Sequence, residues 1–150
     1  MVKKKTSQKT AKKKVKKKVS SAKAKTRQKK VTDPAKGFAL AAAKVAAGRH
    51  CSDIVVLDLS GKSPATDYFV IATGTSDRQM RTVADEISKT AREQHFQRFG
   101  RAGYEQARWI LLDYVDVVVH IFDGEYRDYY DLELLWGDAE RLDLERGLKR

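Results

Sequence analysis

The stretch DYVDVVVHIFD, Asp113 to Asp123, decides the fold, because it joins a valine run to two kinds of surface. Side chains alternate across a strand, so Val117, Val119 and Ile121 share one side, while Asp116, Val118, His120 and Phe122 share the other. The first side is all apolar and needs cover. The second mixes aromatic and aliphatic bulk with a carboxylate and an imidazole. Just upstream, RWILLDY (residues 108–114) is another apolar run, close enough for a hairpin, with Trp109, Leu111 and Asp113 on one face. A half-polar sheet face carrying such anchors suits protein binding, unless the last helix closes over it.

Working outward, DIVVLDLSGKS predicts a strand over Ile54–Leu59 and a turn at Ser60–Pro64, and DYFVIATGTS predicts a second strand over Tyr68–Thr73. Their near-continuous apolar character marks both as central strands. Ser76, with Gln79 three residues on, forms a capping-box pattern. Met80, Val83, Ala84, Ile87 and Ala91 then share one face of a helix running to about Gln94. Upstream, Asp33 and Pro34 suit an N-cap and first helical position. They open an alanine-rich helix over Ala35–Ala47 with Phe38, Ala41, Ala42 and Val45 at helical spacing, stopped by Gly48. FQRFGRAGYEQ is weakly strand-like. Beyond the turn at Asp123-Gly124, a last helix is expected from about Tyr126, with Leu132, Leu135, Trp136, Ala139 and Leu142 apolar. The order α-β-β-α-β-β-β-α implies an α/β (α+β) fold with a mixed sheet of about five strands and flanking helices.

The charge is split along the chain. Residues 1–32 hold 15 Lys and Arg and no acid, whereas the remainder carries 16 basic against 20 acidic residues, a net of about −4. The expected organisation is a disordered Lys-rich tail over 1–32 and a folded domain over 33–150. Lys12, Lys13, Lys14, Lys16, Lys17 and Lys18 lie in the densest part of the tail and suit RNA phosphates. No aromatic residue in the tail offers base stacking, which argues against sequence specificity. Cys51 is the only cysteine, excluding an internal disulfide and a multi-cysteine zinc site. No apolar run approaches a membrane span, no secretory h-region follows the early lysines, and Lys outnumbers Arg where transit peptides favour Arg. No membrane association is expected, and a cytoplasmic location is.

Catalytic chemistry finds little support. The Gly74-Thr75-Ser76 turn joins a strand to a helix N-terminus, where free amides can hold an anion, so a nucleotide-binding or nucleotidyltransferase-like enzyme is the alternative reading. Metal-dependent nucleotidyl transfer needs clustered carboxylates. Asp113 and Asp116 are three apart, Asp123 and Glu125 flank Gly124, and Asp131 and Glu133 belong to the expected helix. No phosphate loop of the G-x-x-x-x-G-K-[ST] kind is present. Cys51 follows His50 with no orienting group, and His50, His95 and His120 lack ligand spacing. No catalytic residue, metal ligand or cofactor is assigned.

Several blocks, TDYFVIATGTS (residues 66–76), the Trp109 strand, DVVVHIF (116–122) and YYDLELLW (129–136), stand in an order that resembles the ribosomal silencing factor family, RsfS or iojap. The likeness runs from roughly Phe38 to Ala139. It implies a nucleotidyltransferase-like fold without that activity. It also implies binding to the large ribosomal subunit through its intersubunit-face protein uL-fourteen, sterically blocking the small subunit. Translation is thereby repressed, or an immature large subunit is kept from joining early. Homodimers are a further implication. Carried over by position, the partner-binding surface residues are Asp67, Thr75, Ser76, Arg78, Trp109, Asp113, Asp116, His120, Arg127 and Tyr130. The Lys-rich arm departs from the family's compact core and is assigned contacts to ribosomal RNA.

Overall fold

A computed structural model describes residues 33–144. The Lys-rich segment 1–32, with its expected disorder and its cluster from Lys12 to Lys18, lies outside the described residues, as do residues 145–150. The elements are α1 (Pro34–Gly48), β1 (Ser52–Asp58), β2 (Tyr68–Thr73), α2 (Asp77–Glu93), β3 (Gly100–Ala102), β4 (Trp109–Asp113), β5 (Val117–Phe122), α3 (Gly124–Tyr130), α4 (Leu132–Leu135) and β6 (Glu140–Arg141).

The valine-rich strand β5 lies third in a sheet of order β3-β4-β5-β2-β1-β6. It pairs antiparallel with β4, which places Leu111 opposite His120, and parallel with β2, which places Ile71 beside it on the other flank. Every other pairing is antiparallel, so the sheet is mixed, as expected. The hairpin turn between β4 and β5 holds Val115 at φ 69°, with its amide donating to the Asp113 carboxylate at 2.8 Å. At the other end of β4, Gly103 has φ +76°, and a Cβ there would stand 2.0 Å from the Trp109 carbonyl oxygen. Only glycine accommodates that approach.

The two sheet faces are closed differently. Val56, Val70, Ala72, Ile110, Leu112, Val117, Val119 and Ile121 meet α1 and α2 in the larger core. The buried stripe of α1 is Ala35, Phe38, Ala39, Ala42, Ala43 and Ala46, rotated slightly from the spacing read in sequence, which leaves Ala41 and Val45 half-buried. Alanines let the helix approach the sheet closely, and Phe38 fills the remaining depth, stacked on Phe96 and edge-on to Tyr114. All five apolar residues read for α2 are buried, and Ser76 caps that helix by accepting from the Gln79 amide. On the opposite face a smaller core gathers Leu57, Leu59, Ile71, Phe122 and Ala139, with Phe69, Trp109, Tyr126, Leu132 and Trp136 packed against it.

The expected continuous last helix is broken. Asp131 has φ 42°, a left-handed conformation that ends α3, and its amide bonds back to the Arg127 carbonyl. A short polar residue tolerates this conformation better than most. After α4 the chain reverses, and Glu140–Arg141 pair with β1 as a sixth strand where five were expected. Leu142 consequently packs against the α1/α2 core and not along a helix with Leu132 and Trp136.

Candidate functional site: an aromatic and acidic ridge over the second sheet face

Because Trp109 opens β4 and Phe122 closes β5, the two side chains pair across the hairpin with ring centroids 4.8 Å apart. Tyr130, at the end of α3, lies 4.6 Å from the Trp109 ring, and Tyr126 and Tyr129 lie 5.7 and 4.9 Å from Tyr130. The cluster is held from below. The Asp123 side chain caps α3 by accepting from the Tyr126 amide, and Arg108 pairs with both Asp123 and Glu125 while its guanidinium lies 4.5 Å over the Tyr126 ring. Arg127 is buried. It donates to the Thr73 hydroxyl at 2.7 Å and forks onto Glu133 at 3.1 and 2.8 Å, tying α3 and α4 to β2. Its hydrogen bonds hold the Glu133 carboxyl below the usual carboxylate range.

Not all of the apolar bulk is covered. Tyr129 is 79% exposed, Leu134 76%, Leu135 71% and Tyr130 44%. Large apolar residues left in solvent on two successive short helices mark a candidate interaction surface. A groove of about 520 Å³ runs between Glu125, Tyr126, Asp128, Tyr129 and Tyr130. The surrounding charge is one-sided: residues 109–144 carry ten Asp and Glu against Arg127 and Arg141 alone, a net of about −8. Apolar anchors within a negative field suit a basic protein surface.

His120 lies inside the fold. It is 4% exposed, its Nδ1 accepts from the Trp109 indole N–H at 3.1 Å, and Phe69 meets it edge-on at 4.5 Å. Burial pushes its pKa down to about 3, so it is neutral at ordinary pH. Of the ten residues assigned to the partner surface, Trp109, His120, Arg127 and Tyr130 thus come together. Two of these are corrections to the surface reading: His120 and Arg127 are buried, the Arg127 guanidinium bonded to Thr73 and Glu133 and the His120 Nδ1 bonded to Trp109. Thr75, Ser76 and Arg78 are exposed at the same end of the sheet, where the Gly74 amide donates to the Phe122 carbonyl. Asp67, Asp113 and Asp116 sit at the other end, with the Asp67 amide bonded to the Asp116 carbonyl. The six residues of β5 separate the two ends by about 16 Å. Leu134 and Leu135 were missed as exposed residues. YYDLELLW holds more apolar residues than a four-residue helix can bury, and that excess is the signal that could have found them.

The Gly74-Thr75-Ser76 turn spends two of its three amides within the chain. The Gly74 amide is taken by Phe122, the Thr75 amide and hydroxyl donate to the Gln79 side chain, and the Gln79 amide donates to Ser76. Asp77 adds a negative charge in the first turn. Among the described residues no group of three or more His, Cys, Asp or Glu could hold a metal ion. No helix among them is long and apolar enough to cross a membrane.

What these residues define is a scaffold that displays a ridge, and comparison with known proteins places that scaffold in a family. A family model described as "Ribosomal silencing factor during starvation" matches residues 32–150. The Ribosomal silencing factor RsfS of Bacillus subtilis is 44% identical over 102 residues, 68% of this chain and 86% of that protein. The chloroplastic Iojap protein of Zea mays is 33% identical over 107 residues, 71% of this chain and 46% of that protein. A Chromobacterium violaceum crystal structure superposes with a TM-score of 0.62 at 34% identity, covering 69% of this chain and 83% of the other. The chain belongs to the ribosomal silencing factor family.

Proposed function

We propose that this protein represses translation by occupancy alone, docking its α3–α4 ridge on uL-fourteen at the intersubunit face of the large ribosomal subunit and thereby excluding the small subunit. The observation that carries this reading is the exposed apolar ridge of Tyr129, Tyr130, Leu134 and Leu135 beside Trp109, set in a strongly negative surround. Apolar anchors supply affinity, and the negative field steers the domain toward a basic ribosomal protein. Membership in the silencing-factor family supports the same direction. A steric block needs no turnover, and the Gly74 and Thr75 amides of the strand-to-helix turn are taken by the chain itself. The Lys12–Lys18 cluster adds ribosomal RNA contacts through phosphate neutralisation, so binding should weaken as salt rises.

Cosedimentation tests the reading. The protein should travel with isolated large subunits and be absent from joined ribosomes, and adding it before the small subunit should lower the joined fraction. Normal joining at saturating protein would refute the proposal. Deleting residues 1–32 should leave ribosome binding in place with a shallower salt dependence.

A further inference from the structure

His120 occupies a position where a phenylalanine would be simpler. Its ring is enclosed by Phe69, Phe122 and Trp109, between Ile71 and Leu111 on the flanking strands. Because Nδ1 accepts the Trp109 indole proton, the ring's own proton resides on Nε2. That Nε2 is buried with no hydrogen-bond partner. Buried donors are almost always satisfied, so an orphan one calls for a compensating role. What the imidazole supplies and a phenyl ring cannot is the acceptor at Nδ1. Trp109 needs it, because the indole is only half-buried and opens directly onto the ridge. Bonded inward, the indole N–H is turned from solvent while the ring stays packed on Tyr130.

We propose that His120 is a positioning residue for the docking ridge: its Nδ1 fixes the plane of the Trp109 indole, and through it Tyr130, in the geometry that meets the partner. This rests on the docking reading above for its functional half. The hydrogen bond itself stands independently of that reading. His120 touches no partner; it sets the conformation in which Trp109 and Tyr130 are presented, and so lowers the ordering cost of binding.

Two measurements on the full-length chain test this. In ¹⁵N-labelled protein, the long-range imidazole ¹⁵N pattern of His120 should show the Nε2–H tautomer. The Trp109 indole proton, assigned with Trp109→Phe, should be shifted downfield and protected from exchange. Binding to large subunits is then measured in a double-mutant cycle. His120→Phe should raise Kd about tenfold, yet change it less than about twofold when Trp109 is already phenylalanine, the coupling expected of residues acting as one unit. An Nδ1–H tautomer, or an equal loss in both backgrounds, overturns the proposal. The NMR result needs no variant and no partner. Absence of any binding by the unaltered protein would refute the docking reading and leave the tautomer assignment to be decided by the spectra.

Discussion

The two faces of one sheet are finished in opposite ways. Under α1 and α2 the closure is dry and small-grained: alanines, valines and isoleucines, with Phe38 the deepest aromatic. Under α3 and α4 it is aromatic and ionic: Trp109, Phe69, Tyr126 and Trp136 around a buried Arg127 paired with a half-buried Glu133, with leucines left over in solvent. Long helices cover a face completely because each turn delivers residues to it. Two short helices broken at Asp131 cannot, so the second face keeps its scaffold inside and its surplus apolar surface outside. The first face supplies stability. The second trades some coverage for a surface that can be recognised.

The largest break in this comparison should come from the dry face. Phe38→Ala removes a fully buried ring, stacked on Phe96 and edge-on to Tyr114, and should cost about 3 to 5 kcal/mol in denaturant unfolding. Whatever fraction stays folded should bind normally, since α1 lies across the sheet from the ridge. Arg127→Ala should cost about 3 kcal/mol by leaving Glu133 and Thr73 unpartnered near the protein interior. It should also loosen α3 against α4, read as faster amide exchange in residues 124–136.

A smaller effect separates the faces by pH. His120 has a folded pKa of about 3, against about 6.5 in the unfolded chain. The unfolded state therefore binds the extra proton, and the stability contributed by the neutral ring is complete above pH 6.5 and lost as pH falls below it. The slope should be up to about 1.4 kcal/mol per pH unit. His120→Phe should flatten the stability curve between pH 6 and 5, a window above the range in which the lowered Glu86 and Glu133 carboxyls take up protons. An unchanged slope in that variant would mean the ring is not buried in neutral form.

The same contrast explains what could be read from the chain. The dry face was legible because its rule is local: alternation in β5 separated Val117, Val119 and Ile121 from His120 and Phe122, and the Ser76–Gln79 capping box marked where α2 begins. The second face was legible only in part. That Trp109, His120 and Phe122 share a side follows from strand alternation. The short strand at Glu140–Arg141 and the burial of Arg127 depend on partners more than 50 residues away, as Leu57 is for Arg141 and Thr73 for Arg127. Periodicity alone ran a helix through Asp131, because nothing local forbids an aspartate there.

The smallest change in stability should carry the largest functional consequence. Leu134 and Leu135 are exposed, so replacing both by serine should alter stability by no more than about 0.5 kcal/mol each. The most direct test of the account is a subunit-joining titration comparing that double variant with the unaltered protein. The unaltered protein should block joining at saturation, while Leu134→Ser/Leu135→Ser, equally folded, should need at least about tenfold more protein to do so, as lost anchors would require. Equal inhibition by the two would contradict the assignment of the α3–α4 ridge as the docking surface.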